Sequence, residues 1–482
     1  MTAPKSLSDA DRRKLLNDLS TLKSDDDDAV AQDAKWFLPL DAHSRALRPE
    51  TLVVRGGRGA GKSSLFHFLG HIQKHPGLAV PVGIGAAVAK TLWLEGFSGS
   101  VEHPNRDVVG AFGSRANDDR RRFFWYAWLC ARLSQATNVA LPPGRLANAL
   151  AQGWDPDVLA DAVESQLGPL NGWMDTLERS RTVPIVVTYD GLDRISRSSI
   201  TLKNMTASLL AMWLSLADRY RQIRPKVFVR EDLFQASLSA FSDASKLDAR
   251  SVSLEWRVED LYRVLIKHMA NTSEELKNWV EGSTRGISLT CKNELGWMPP
   301  NTLPEIGRGS QKGFVDHLAG EQMGTGTKKG LTYRWIPNRL QDAHARAVPR
   351  SILSLTRNAA DFAISRGPEA QSLRLLTPLE LQGALERTSK RRVNELKEEF
   401  PVVGRLEFLK DRTVMLDRKV AIEALSRVTP IEDEHGTDGE QVLRTLIELG
   451  VMSERIDGRI DVPDIYRYGF GILRKGGVKR PR

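Results

Sequence analysis

Residues 51–64, Thr51-Leu-Val-Val-Arg55-Gly-Gly-Arg-Gly-Ala60-Gly-Lys-Ser-Ser64, decide the fold. The run 51–55 is short, apolar and stopped by glycines, which reads as a buried parallel strand. Residues 64–75 continue at helical spacing until Pro76 and Gly77 stop them. Between strand and helix, Gly56, four intervening residues, then Gly61, Lys62 and Ser63 spell a Walker A motif. Its glycines let the backbone curl so that N–H groups converge on phosphates, an approach side chains would obstruct. The helix N-terminus adds its positive dipole end. The expected phosphate cradle is Gly56, Gly57, Arg58, Gly59, Ala60, Gly61, Lys62, Ser63 and Ser64. Lys62 is expected to reach the β- and γ-phosphates of ATP, and the Ser63 hydroxyl to ligate Mg2+.

A magnesium site also needs a carboxylate at the tip of a neighbouring strand. Residues 182–189 (TVPIVVTY) form the other strongly apolar run, and Asp190 ends it. Asp190 is thus the natural Walker B aspartate and the second expected metal residue. Asp193 follows in the string DGLDR, where two readings stand: a carboxylate that orients the attacking water, or a cap for the next helix. Arg230 closes a third apolar run, 225–230, beside Glu231 and Asp232. It can sense a γ-phosphate or form a salt bridge at the strand end. Arg350 opens a helix after Pro349; it can reach back over a nucleotide or simply start a helix.

The sequence predicts an α/β P-loop fold: a parallel sheet covered by helices on both faces, then a mostly helical C-terminal module. With 482 residues, the chain is long enough for roughly two or three domains. Expected strands lie at 51–55, within 79–94, and at 182–189, 225–230 and 252–256. Expected helices lie at 7–22, 29–37, 64–75, 117–135, within 155–181, and at 199–221, 258–269 and 351–366. The expected divisions are N-terminal helices in 1–45, the P-loop core in 46–280 and a loop-rich insertion in 281–335. A helical lid carrying Arg350 follows in 336–370, then a winged-helix-like domain of small helices in 371–482. That last assignment rests on a helix at 439–449 followed by a hairpin at 451–462 that turns at Asp457-Gly458.

Net charge is +9. This permits DNA as a partner without demanding it, and part of the excess sits in the tail from Arg474 to Arg482. The acidic run 25–28 reads as a solvated turn. Cys130 and Cys291 read as core residues, and His67, His71 and His75 as a polar helix stripe rather than a metal site. The apolar stretches 77–89 and 206–217 fall short of the ~20 residues of a membrane helix. No charged-then-apolar leader opens the chain, so it is expected to be cytoplasmic and without a membrane partner.

GGRGAGKS, VVTYDGLDRI, KVFVREDLF, VSLEW and VPRSILSLTRNAADFA together resemble the ATPase core of the AAA+/STAND side of P-loop proteins, and most of all the bacterial KAP-like ATPases. The resemblance spans roughly residues 40 to 370. It implies an ATP-hydrolysing switch or motor that works as a homo-oligomer or with a protein effector, in anti-phage defence or a DNA transaction. It also implies a sensor 1 role for Arg230 and a sensor 2 role for Arg350. Asp190 is followed by Gly191 rather than an acid, which departs from the AAA+ pattern and is similar to the STAND and KAP one. An arginine finger has no clear position; Arg120 to Arg122 is a candidate cluster. A GTPase would need an Asn/Thr-Lys-x-Asp element and an ABC-type ATPase an LSGGQ-like signature, and neither is present. The alternatives are a DNA-binding AAA+ loader or transposition-type regulator, and a nucleotide-bound scaffold with little turnover.

Overall fold

The computed structural model describes residues 7–23, 33–74, 90–98, 104–153, 155–196, 198–239, 243–283, 287–324, 330–367, 374–429 and 436–475. The acidic run 25–28, the stretch 77–89, His75 and the tail beyond Lys475 lie outside the described residues. The chain forms two compact units. One is Ala31–Glu255; the other joins Met1–Val30 to Trp256–Arg482.

In the unit Ala31–Glu255, five strands make one parallel sheet: β1 (Val53–Gly56), β2 (Leu92–Phe97), β3 (Ile185–Tyr189), β4 (Ile223–Arg230) and β5 (Ser251–Ser253), in the order β2-β3-β4-β1-β5. The register sets Gly56 beside Arg230, and Tyr189 and Val53 on either side of Val227. β3 is buried along its whole length, as a strand covered on both faces must be. One face carries a dense aromatic layer. Trp125 and Trp128 of the helix Asp118–Thr137 pack with Phe97, Tyr189 and Trp213, and Trp125 Nε1 donates to the Met205 carbonyl at 3.0 Å. On the other face Phe66 of the helix Lys62–Lys74 meets Phe228 edge-on, while Phe68 stacks on Phe37. Each buried large side chain contributes about 1.5–3 kcal/mol, so the two layers fix the sheet firmly.

The aromatic stripe of 117–135 is therefore core. The edge strand β2 begins later than its apolar stretch suggests and runs through Glu95 and Gly96. A Cβ on Gly96 would lie 2.6 Å from Val187 and 2.9 Å from Tyr189, so only glycine permits this pairing. Of the helix expected at 29–37, the described part is a 3-10 turn, Ala34–Trp36.

The second unit is built on helices. The N-terminal helix Asp9–Ser20, capped by Ser8, packs on the helix Pro349–Arg366. The helix Val258–Thr272, read from the sequence as the close of the core, belongs to this unit. The loop-rich stretch holds two further helices, Gln311–Ala319 and Thr332–Leu340. Where small helices were expected, Pro378–Glu399 runs for 22 residues. A capping box starts it: Thr377 Oγ1 accepts from Glu380 N, and the Glu380 carboxylate accepts from Thr377 N. The helices Arg418–Leu425 and Gly439–Glu448 lead into a hairpin of Ser453–Glu454 and Ile460–Asp461, and Leu416 pairs with Ile460 from the far side. The expected helix and hairpin are present, with the turn at Asp457-Gly458 and Gly458 at φ +75°. Cys130 is buried but Cys291 is exposed, because it sits in a two-residue strand at the surface rather than in a core. No helix among the described residues is long and apolar enough to cross a membrane.

Candidate functional site

Parallel strands carry all their C-terminal ends to one edge, and β1, β3 and β4 end there side by side. The loop after β1 turns through Gly59 at φ +79° and Gly61 at φ +90°, in the region that favours glycine. A Cβ on Gly56 would sit 3.2 Å from Ala60 Cβ and 3.4 Å from Leu254 Cβ, so the loop closes tightly at its base. Gly57, by contrast, faces open space, and Ala60 is buried beneath the turn. Arg58, Ser63 and Ser64 are half-buried around the mouth of the loop.

Lys62 is the first residue of the helix Lys62–Lys74, and its ammonium donates to the Gly56 carbonyl at 2.8 Å and the Gly57 carbonyl at 3.0 Å. Its side chain therefore folds back onto the loop. Removal from water lowers its pKa to about 8, against the opposing pull of Asp190 and Asp193. Asp190 leaves β3 with its N–H bonded to the Phe97 carbonyl at 2.7 Å. Its carboxylate hydrogen-bonds to the Ser63 side chain and the Gly191 N–H. Burial still pushes the carboxyl above its ordinary range. Hence the two residues expected to hold a divalent cation, Ser63 and Asp190, come together across two strands.

Gly191 adopts φ +69°, where a Cβ would approach the Ser98 carbonyl to 3.2 Å. Past it, Asp193 sits in the 3-10 turn Leu192–Arg194. The cap of the following helix Ser199–Arg219 is Ser198, whose hydroxyl accepts from Thr201 N at 3.3 Å. That removes the capping reading of Asp193, which turns instead toward Arg230: Asp193 Oδ2 lies 3.8 Å from Arg230 Nη1. Arg194 is exposed.

Arg230 ends β4, the strand between the P-loop strand and the Asp190 strand. The salt bridge at the strand end is present. Its Nε and Nη2 donate to the two carboxylate oxygens of Asp232, at 3.1 and 2.7 Å, and the same guanidinium faces Asp193. The site thus holds Lys62, Asp190, Asp193, Arg230 and Asp232. Asp232 was not among the candidates, although its position two residues beyond a strand tip was visible. A second residue missed by the sequence reading is Arg106, whose Nη2 donates to the Ser98 carbonyl at 2.7 Å beside Gly191.

Arg350 belongs to the second unit, in the first turn of Pro349–Arg366, with Nη1 3.6 Å from Glu395. The arginines weighed as a finger are engaged within the first unit. Arg120 pairs with Asp157 and Asp161, buried Arg121 with Asp118 and the Gly113 carbonyl, and Arg122 with Asp119. His67 and His71 share the helix Lys62–Lys74; among the described residues no group of three or more His, Cys, Asp or Glu is set to hold a metal.

No family model matches the chain, and no curated protein matches it. Solved structures do. The ORC1 protein of Aeropyrum pernix, determined in complex with DNA, is 12% identical over 97% of this chain and 97% of its own, with a TM-score of 0.34. The ORC2 protein of the same organism, in its ADPNP-ADP complexes, is 11% identical over 88% and 89%, with a TM-score of 0.29. The Cdc6p protein of Pyrobaculum aerophilum is 9% identical over 86% and 83%, with a TM-score of 0.29. Superpositions at these scores carry no weight for function, which rests on this chain's own residues.

Proposed function

We propose that the chain is an ATP-binding and ATP-hydrolysing switch of the AAA+/STAND/KAP-like kind, acting with a protein effector or further copies of itself in bacterial anti-phage defence or a DNA transaction. One observation carries the reading: Lys62, Ser63, Asp190, Asp193 and Arg230, distant in sequence, meet at the C-terminal ends of β1, β3 and β4. The loop residues from Gly56 to Ser64 fit a triphosphate, because turns through positive-φ Gly59 and Gly61 keep the loop free of bulky side chains there and suit a backbone phosphate cradle. Mg2+ fits as well, since Ser63 and Asp190 already share a hydrogen bond that a hard cation with oxygen ligands would replace. When bound, it would neutralise charge on the β- and γ-phosphates.

The chemistry of these residues follows from their placement. Lys62 holds a positive charge over the phosphates. Asp193 is the carboxylate available to orient a water for in-line attack, and Arg230 is the cation beside it that a γ-phosphate would attract. Because so many groups address the γ-phosphate, a device that distinguishes ATP from ADP suits the site better than a metabolic enzyme does. The sensor 2 role of Arg350 belongs to the same proposal and rests on the sequence resemblance.

The test is direct. Lys62→Ala is expected to abolish binding of a fluorescent ATP analogue, whereas Asp193→Asn keeps binding and lowers turnover by about 10²-fold or more. Binding by Lys62→Ala at the strength of the unaltered protein overturns the reading. Full turnover by Asp193→Asn removes Asp193 from the chemistry. The C-terminal hairpin favours a second reading, a DNA-binding loader or regulator, through its tip: Ile456 is fully exposed between Arg455 and Arg459.

A further inference from the structure

Five parallel strands bring five N-terminal ends to the edge opposite the candidate site, and a basic residue precedes every one of them. Across the sheet from β2 to β5 the sequence is Lys90, Arg181, Arg221, Arg48 and Arg250. Arg224, the second residue of β4, adds to the row. Neighbouring strands lie about 4.8 Å apart, so the row extends over roughly 19 Å. Two carbonyls on the approach to β1, Arg48 and Thr51, accept from buried Lys226 of β4, which ties that approach to the edge. Lys90, Arg48 and Arg221 are exposed, while Arg181 and Arg250 are half-buried.

Acids are present here too: Glu178, Asp218 and Asp175 are engaged, and Glu50 is exposed. The Glu178 carboxylate accepts the backbone N–H groups of Arg221, Gln222 and Ile223 at 2.6, 2.8 and 3.1 Å. Asp218 pairs with Arg250 at 2.8 Å, and Asp175 with Arg219 and Tyr220. Exposed Glu50 adjoins Lys226. The guanidinium groups keep donors unspent: Arg181 Nε, Arg224 Nε and Arg250 Nη1 are buried and have no hydrogen-bond partner. Burial and then the neighbouring charges of Arg221 and Arg250 hold the Arg224 guanidinium below its ordinary pKa, against the opposing pull of Glu178 and Asp218.

We propose that this arginine edge of the Ala31–Glu255 unit is a docking surface for a nucleic-acid backbone. Guanidinium forks match phosphate oxygens in geometry and charge, and a row of cations along one sheet edge suits a chain of anions. A protein partner would call for aromatic or apolar anchors. Among the described residues that lead into these strands, Val183 is the one large apolar side chain exposed. The surface lies at the sheet edge opposite the nucleotide site, and it does not depend on how that site is read.

The experiment is a salt titration of fluorescein-labelled single-stranded and duplex oligonucleotides against the full chain, followed by anisotropy from about 50 mM salt upward. The triple variant Arg48→Ser/Arg181→Ser/Arg221→Ser is expected to bind at least about tenfold more weakly. Its plot of log affinity against log salt should lose roughly 0.9 in slope per phosphate contact removed for duplex, or 0.7 for single strands. A hairpin variant, Arg455→Ser/Arg459→Ser, separates this surface from the C-terminal hairpin. If the triple variant melts early, Arg221→Glu alone, on an exposed side chain, provides the same comparison. Three results overturn the proposal: no binding by the unaltered protein at 50 mM salt, affinity and slope unchanged in the edge variants, or displacement by polyglutamate as effective as by an oligonucleotide of equal charge. Nucleotide binding, measured separately with the ATP analogue, stands or falls by itself.

Discussion

Arg230 is where single residues decide most. Asp232 takes two of its N–H groups in a bidentate pair and Asp193 lies on its other side, so the cation is aimed between two acids before any phosphate arrives. A γ-phosphate at the strand tips would compete with Asp193 for that cation and release the carboxylate toward water. Arg230→Gln is thus expected to cut the preference for a non-hydrolysable ATP analogue over ADP by roughly tenfold, one charged hydrogen bond of about 1.5 kcal/mol. Asp232→Ala should do nearly the same, and the double variant no worse than Arg230→Gln alone, because the two act as one unit. Paired titrations with the analogue and ADP check this; an additive double variant would separate the two residues. The P-loop was legible because it needs glycine at a few positive-φ positions, a demand that survives in the residue letters. The Asp232 pairing was not, since it depends on strand register and on how the chain turns after β4.

At the scale of elements, β4 carries an unusual resident. Lys226 is completely buried in the middle of the strand, its ammonium donating to the carbonyls of Arg48 and Thr51. Burial lowers its pKa from 10.5 to about 7. Below pH 7 both folded and unfolded chains hold the proton, and the full cost of burying the charge is present. Between about 7 and 10.5 the folded chain has released the proton while the unfolded chain retains it, so this residue makes the protein more stable as pH rises. Melting temperatures from pH 6.5 to 9.5 should therefore climb more steeply in the unaltered protein than in Lys226→Met. Parallel curves would mean that Lys226 does not titrate there. Strands were readable from their apolar runs because a doubly covered sheet permits nothing else. The helix Pro378–Glu399 was read as small helices because its exposed faces are crowded with charge, although Thr377 and Glu380 already spelled its capping box.

For the whole molecule, the division into two units means that the chain leaves and re-enters one of them: residues Met1–Val30 complete the unit that resumes at Trp256. Nothing in local periodicity announces such a closure, and the sequence accordingly reads as N-terminal helices followed by a core. One contact in this join is a buried ion pair. Arg12 is fully buried, with Nη2 donating to the Glu380 carboxylate at 2.9 and 3.2 Å and Nε to the carbonyls of Arg374 and Leu375 at 3.3 and 3.2 Å. Glu380 simultaneously completes the capping box with Thr377. Removing the arginine would leave a carboxylate buried without its cation, which typically costs about 3–5 kcal/mol. Each unit has a core of its own, so calorimetry should resolve two transitions. The one belonging to Ala31–Glu255 should move upward with a nucleotide, by about 2.7 kcal/mol at a hundredfold excess over Kd. Arg12→Leu should lower the other transition by on the order of 10 °C and leave the nucleotide-responsive one where it is. A single transition, shifted alike by nucleotide and by Arg12→Leu, would mean that the two units unfold as one.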